Sequence, residues 1–228
     1  MNQFSKNQLA TIIAIIFHTI GLLGILFFDK EFFIRSTVFN LLLMFLLILF
    51  TQVKQNRSFI FFIIVCFITG IITEMIGVNT GWLFGSYNYG NVLGPKVLEV
   101  PLIIGINWFI IIYCCGITVQ VLLTKVIDQL YLQSGKPVPS IKLASIIVDG
   151  ATLAVLFDWL MEPVAIKLGY WTWIHSDEVP LFNYICWFGI SCLLMTAFHF
   201  SSFNKENKFA VNLLLIQAMF FLLLRSFL

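Results

Sequence analysis

The apolar segment FIFFIIVCFITG, residues 59–70, continues without a break into IITEMIGVNTGWLFGSYNYG, residues 71–90. The first segment and the start of the second are long enough to cross a lipid bilayer, which takes about 20 apolar residues. The second segment then brings an acid, Glu74, followed by glycines and aromatic residues. The sequence therefore places an acid near the end of a membrane helix, directly before a loop of glycines and aromatic residues. Both the fold of the chain and the role of this acid have to be explained.

The composition of the whole chain indicates a membrane protein. Of its 228 residues, 60% are hydrophobic and 11% are charged, and the mean hydropathy is +0.99. A soluble domain carries about 25% charged residues, so this chain has too little polar surface to cover a globule. We predict an all-α polytopic transmembrane helix bundle that forms a single integral membrane domain, residues 1–228. About seven spans are expected, at residues 8–28, 37–53, 58–77, 101–124, 143–165, 180–199 and 208–226.

The lysines and arginines suggest an orientation in the membrane. With a cytoplasmic N-terminus, eight of the 13 fall on the inner side, as the positive-inside rule favours. The loop after Glu74 and the loop around Trp171 and Trp173 are then both expected on the outer side. The first span is interpreted as a membrane helix, because no small-residue cleavage site follows it. The expected location is a bacterial inner membrane.

Several kinds of site are not expected. The five cysteines fall inside predicted spans and are interpreted as small apolar fillers, not as disulfides or a zinc site. The histidines His18, His175 and His199 are scattered, which argues against a di-iron site. No serine nucleophile elbow or phosphate-binding loop is present. We therefore expect no metal and no cofactor, and the absence of a basic tract argues against a nucleic-acid partner.

Glu74 is the first candidate functional residue. An acid near the centre of a span costs on the order of 2.5–3.5 kcal/mol, and less near its end, so it needs a partner or a function. The glycines that follow suit either turns with positive φ or close helix packing. The aromatic residues Trp82, Tyr87 and Tyr89 suit either an interfacial belt or the wall of a binding site. The sequence leaves both pairs of alternatives open.

A second acidic cluster lies on the fifth predicted span. Asp158 and Glu162 are four residues apart and share a helix face, so one of them is expected to hold a proton. Pro163 should kink or end the helix. The alternative is an interfacial pair in contact with the headgroups. Asp149 lies nine residues earlier and faces elsewhere, so it is only a reserve candidate.

Acids, aromatic residues and an apolar environment suit one chemistry in particular. Trp171, Trp173 and Asn183 could be membrane anchors with a helix-linking amide, or they could line a site. A carboxylic acid can protonate an isolated alkene, and aromatic faces can stabilise the resulting tertiary cation. A second carboxylate can then direct water to the cation or remove a proton from it.

Four motifs resemble a known family. They are E-x-x-G-x-x-T-G-x-x-F-G-x-Y-x-Y at residues 74–89, D-x-x-x-E-P at 158–163, G-x-W-x-W at 169–173 and P-x-x-N-x-x-x-W at 180–187. With L-G-P at 93–95, V-P at 100–101 and Trp108, they resemble the membrane carotenoid biosynthesis family over residues 70–190. That family includes carotenoid 1′,2′-hydratases and bisanhydrobacterioruberin hydratases.

The resemblance implies a hydro-lyase that needs no cofactor. It would add water across the terminal 1,2 double bond of an acyclic carotenoid end group, as in lycopene or γ-carotene. Its partners would be the carotenoid, the bilayer and other carotenoid-pathway enzymes. The motif residues assigned to catalysis are Glu74, Asp158 and Glu162, and those assigned to substrate binding are Trp82, Tyr87, Tyr89, Trp171, Trp173 and Asn183.

Two further functions remain as alternatives. A lycopene-type cyclase shares the protonation of the alkene but releases a proton instead of adding water. A lipid- or pigment-binding protein, or a proton-conducting one, would need the aromatic residues but no turnover. For an enzyme, we expect Glu74, Asp158 and Glu162 to converge on one cavity. Glu162 and Glu74 rank ahead of Asp158 as the acid, because free glutamate has the higher reference pKa.

Overall fold

The structure is a computed structural model that describes residues 5–134, 139–174 and 178–228, with side chains described outside residues 127–141. In these ranges the chain forms eight helices and four short strands. The helices are α1 (Lys6–Phe27), α2 (Lys30–Arg35), α3 (Thr37–Thr51), α4 (Arg57–Thr80), α5 (Ile103–Ser134), α6 (Pro139–Lys167), α7 (Leu181–Phe200) and α8 (Lys208–Phe227). The strands are β1 (Tyr87–Tyr89), β2 (Lys96–Val97), β3 (Val100–Pro101) and β4 (Trp171–Trp173).

The predicted all-α bundle of seven spans is confirmed. Within the described ranges, seven helical segments are long and apolar enough to cross a membrane. The second of them begins at Lys30, seven residues before the predicted start, because Asp29 caps the short α2 that leads into α3. The cytoplasmic position of the N-terminus stays a prediction.

Helix α5 forms the centre of the bundle. It packs against α3, α4, α6, α7 and α8. Its stretch from Trp108 to Cys115 is buried on every side, as expected for a helix without a membrane-facing stripe. All five cysteines are free, and Cys114 and Cys115 lie in this core. Trp108 and Tyr113 on α5 each belong to a buried polar cluster.

Of the two effects expected of Pro163, the helix end is not found, and a kink stays a prediction. Helix α6 continues past Pro163 to Lys167 and does not end at the proline. The proline therefore lies in the last turn, where it removes a single backbone donor. Two residues after the end of α6, Gly169 has a φ of 70° and turns the chain. This leads the chain directly into β4.

A two-stranded ladder joins the loops that follow α4 and α6. Strand β1 pairs antiparallel with β4, so that Tyr87 lies opposite Trp173 and Tyr89 lies opposite Trp171. The sequence predicts aromatic loop residues here and does not predict the strands. The pairing confirms that the two loops lie on the same side of the bundle. Which side is the outer one stays a prediction.

Candidate active site

Glu74 is buried near the end of α4 and is held by three donors. The hydroxyls of Tyr87 and Tyr89 donate to its Oε2, Tyr89 at 2.7 Å. The indole Nε1 of Trp108 donates to its Oε1 at 3.0 Å. Both oxygens of this carboxyl group are therefore partnered. The acid that stood out in the sequence has its partners in β1 and α5.

The two tyrosines act as donors because they keep their protons. Burial and the neighbouring Glu74 carboxyl group raise the pKa of Tyr87 and Tyr89 well above the usual value of 10. Both side chains are therefore neutral phenols around pH 7, and each hydroxyl has a proton to donate. This arrangement fixes β1 against α4.

The glycines around Glu74 serve both of the roles that the sequence left open. Gly81 and Gly85 have φ values of 68° and 114° and form turns. Gly77 instead allows close packing, since a Cβ atom there would lie 2.8 Å from the Tyr87 hydroxyl oxygen. Phe84 also has a positive φ, 64°, and its backbone N–H donates to the Cys186 sulfur at 3.3 Å. The turn therefore brings Phe84 and Tyr87 back onto α4.

Asp158 and Glu162 are buried one turn apart on α6 and share a donor. The Asn183 amide donates to Asp158 Oδ2 at 2.9 Å and to Glu162 Oε1 at 3.4 Å. Glu162 Oε2 also accepts from the indoles of Trp171 at 2.9 Å and Trp173 at 3.3 Å. Strand β4 and helix α7 thus hold this pair, as β1 and α5 hold Glu74.

One oxygen of the three carboxyl groups differs from the rest. Asp158 is 1% exposed, and its Oδ1 has no hydrogen-bond partner among the described residues. The other five oxygens of Glu74, Asp158 and Glu162 each accept at least one hydrogen bond. Asp158 Oδ1 is therefore the one oxygen of these three carboxyl groups without a partner among the described residues.

A single small cavity brings the three acids together. Its volume is about 20 Å³, measured as the space open to the centre of a water molecule. Since one water needs roughly 10–15 Å³ by this measure, the cavity has room for about one. It is lined by Glu74, Phe84, Tyr87, Tyr89, Ile104, Asn107, Trp108, Asp158, Met161, Glu162, Trp171, Trp173, Asn183 and Trp187. The predicted convergence of the carboxyl groups is found, and their chemical roles remain a proposal.

Two candidates lie away from this cavity. Trp82 is 79% exposed and lines no part of the cavity, so its assignment to substrate binding stays a prediction. Trp82 directly follows Gly81, where α4 ends, and its position suits an interfacial aromatic residue. Asp149 on α6 is exposed and accepts a hydrogen bond from Ser145. The reserve candidate is therefore no part of the acidic cluster.

Six lining residues are not among the candidates from the sequence, namely Phe84, Ile104, Asn107, Trp108, Met161 and Trp187. The rings of Trp108 and Trp187 stack with centroids 3.9 Å apart and an interplanar angle of 10°. Asn107 lies beside Trp108 on α5 and also reaches the cavity. The signal available in the sequence was a single amide inside an apolar span, next to a tryptophan. This signal for Asn107 is weaker than that of an acid, because a neutral amide costs less than a charge at the same depth in the membrane.

The donor set is not that of a metal centre. Among the described side chains, in residues 5–126, 142–174 and 178–228, no three His, Cys, Asp or Glu residues are grouped to hold a metal ion. The donors around the carboxyl oxygens are instead phenol, indole and amide groups. His175 lies outside the described residues.

Comparison with known proteins bears on this arrangement. A model of the family described as "Carotenoid biosynthesis protein" matches residues 32–228. The bisanhydrobacterioruberin hydratase of Haloarcula japonica is 27% identical over 115 residues. That match covers 50% of this chain and 33% of the relative, so the chain spans about a third of the relative's length. No solved structure matches.

Proposed function

Since this chain belongs to the carotenoid biosynthesis protein family, we propose that it hydrates the terminal 1,2 double bond of an acyclic carotenoid end group. Lycopene and γ-carotene carry such ends. The observation that carries the proposal is the unpartnered Oδ1 of Asp158, a residue that lines one cavity with two further carboxyl groups and several aromatic rings. The hydratase named as a relative supports the same reaction.

Asp158 is proposed as the general acid. A proton on Oδ1 would have no acceptor in the protein, so it could pass to an alkene brought against it. The Oδ1–H bond breaks, a C–H bond forms at C2, and C1 becomes a tertiary cation. This assignment reverses the ranking based on reference pKa values, because hydrogen bonding occupies every oxygen of Glu74 and Glu162.

Aromatic faces would stabilise the cation. The stacked Trp108 and Trp187 lie on the cavity wall with Tyr87 and Trp171. Each favourable cation–π contact is worth roughly 0.5–2 kcal/mol, and more where water is excluded. The rings thus lower the barrier to protonation without offering a nucleophile that competes with water.

Glu162 is proposed as the base that completes the addition. A water oxygen bonds to C1, and the proton it loses passes to a carboxylate. Glu162 is favoured over Glu74 because Asn183 bridges Glu162 and Asp158. The cycle closes when the proton taken up by Glu162 returns to Asp158, which lies one turn away on α6. The balance is one alkene and one water consumed for one tertiary alcohol formed.

The cavity size favours hydration over cyclisation. A space for about one water suits the nucleophile, whereas a cyclase must keep water away from the same cation. The space is too small for a carotenoid end, so substrate binding must displace part of the lining. The loops that carry β1 and β4 form one wall of the cavity, so entry of the substrate would break hydrogen bonds that hold them to Glu74 and Glu162.

Expression in a lycopene-producing host, followed by mass analysis of the pigments, tests the function. The expected product is lycopene with the mass of one water added for each end acted on. A ring formed without added water would identify a cyclase instead. Unchanged lycopene, with the protein present in the membrane, would favour a pigment-binding or proton-conducting protein.

A further inference from the structure

We infer that Asn107 binds the attacking water and thereby decides that the cation becomes an alcohol and not an alkene. This inference rests on the proposed hydratase function and adds a residue that governs the outcome of that reaction.

Asn107 faces the cavity and has free hydrogen-bonding groups. It lies on the same side of α5 as Ile104 and Trp108, which also line the cavity. Its side chain makes no hydrogen bond to any residue in the described part of the chain, whereas the Asn183 amide donates to both Asp158 and Glu162. An amide inside a transmembrane helix is unfavourable unless water or a ligand satisfies it.

The cavity supplies what a bound water requires. It has room for about one molecule, and a buried water needs two to four polar partners. Asn107 offers an amide carbonyl oxygen and two N–H donors, and the carboxyl groups of Asp158 and Glu162 line the same cavity. A water bound to Asn107 in a cavity this small would be next to the cation when the cation forms, because Asp158 lines the same cavity.

The neutrality of the amide gives Asn107 a specific effect. Its carbonyl oxygen can accept a hydrogen bond from one O–H of the water, which leaves a lone pair of the water oxygen directed at C1. An amide is nevertheless too weak a base to take a proton from a C–H group of the cation. Without an ordered water, the cation loses a proton from C2 or a neighbouring methyl group to a carboxylate. The alkene then re-forms with no net addition.

Turnover in D2O separates these two fates. We compare the wild type with Asn107→Leu, which replaces the amide by an apolar side chain of similar size. Membranes with each protein receive lycopene in D2O, and mass spectrometry reports both the alcohol and the deuterium in unhydrated carotenoid. The expected result is a fall of at least tenfold in the ratio of hydration to deuterium incorporation, with incorporation continuing.

The matched control is Asn40→Leu. The Asn40 carbonyl oxygen on α3 also lacks a partner among the described residues, but Asn40 lines no part of the cavity. Its ratio should equal that of the wild type. The ratio does not depend on how much protein folds. If Asn107→Leu does not insert into the membrane, Asn107→Ala replaces it, and the same tenfold fall in the ratio is expected.

Three outcomes would overturn the inference. An unchanged ratio in the Asn107 variants, or equal losses of hydration and deuterium incorporation, would show that Asn107 does not direct water to the cation. A wild type that produces neither alcohol nor deuterated carotenoid would instead refute the proposed function, and this inference with it. The first two outcomes leave the hydratase function standing, so the two failures are distinguishable.

Discussion

Two buried polar clusters meet helix α5, and they differ in charge. The neutral cluster consists of Thr51, Gln52, Tyr113 and Asn207. The Tyr113 hydroxyl donates to Gln52 Oε1 at 2.6 Å, and the Asn207 amide donates to Tyr113 at 3.1 Å and to Thr51 at 3.0 Å. The acidic cluster, at Trp108, gathers three carboxyl groups and leaves one of their oxygens without a partner.

The difference separates a stabilising role from a reactive one. A neutral network with paired groups joins helices at little cost, since each buried donor finds an acceptor. Three acids in one small cavity oppose folding, because each must leave water and two of them lie one turn apart. We therefore expect changes in the acidic cluster to affect turnover and changes in the neutral cluster to affect stability.

The largest effect is expected from Asp158→Asn. The variant keeps the shape of the side chain but has no acidic proton, so hydration of lycopene should fall by about 10³-fold, within the usual range for loss of a general acid. Protein levels in the membrane should stay at those of the wild type. Asp149→Asn is the matched control, since Asp149 is an exposed aspartate on the same helix.

Glu162→Gln should have a smaller effect than Asp158→Asn, since Glu74 remains as a second base. Combined with Asp158→Asn, it should add little further loss, because residues that act as a unit are not additive. Hydration by Asp158→Asn at more than a tenth of the wild-type rate would remove Asp158 from the role of acid.

Tyr113→Phe should show the opposite behaviour. It removes the hydroxyl that joins Gln52 and Asn207, so unfolding in detergent should become easier by about 1–3 kcal/mol. Hydration per folded molecule should not change. Thermal unfolding and an activity assay normalised to folded protein would measure both. A loss of turnover without a loss of stability would contradict the division between the clusters.

The smallest effect is expected at alkaline pH. The pKa of Tyr87 and Tyr89 is raised, so between the unfolded value of about 10 and the higher folded value only the unfolded chain loses these protons. Stability should therefore fall as the pH rises above 10, by at most about 1.4 kcal/mol per pH unit for each group. Tyr87→Phe should make this slope shallower. Equal slopes for variant and wild type, from unfolding measured at pH 8 to 11, would contradict the role of Tyr87 as a neutral donor.

Much of the fold was predictable from the sequence, and the reasons are physical. The spans follow from apolar runs of about 20 residues, and Glu74, Asp158 and Glu162 stand out because a chain that otherwise avoids charge keeps acids at membrane depth. The free oxygen of Asp158 could not be predicted, because it depends on which donors arrive from other helices. The exposed position of Trp82 could not be predicted either, because it depends on the turn at Gly81, which places Trp82 away from the cavity.

The ladder of β1 and β4 also constrains how the chain can vary in length. Alternate residues of a strand face opposite sides, so Tyr87 and Tyr89 reach Glu74 while Trp171 and Trp173 reach Glu162 from the paired strand. A shift of the pairing by one residue would turn Asn88 or Thr172 inward and disconnect a carboxyl group from its donors. Insertion or deletion of a single residue within either strand is therefore poorly tolerated. The register of this ladder sets the tolerance of the site to changes in chain length.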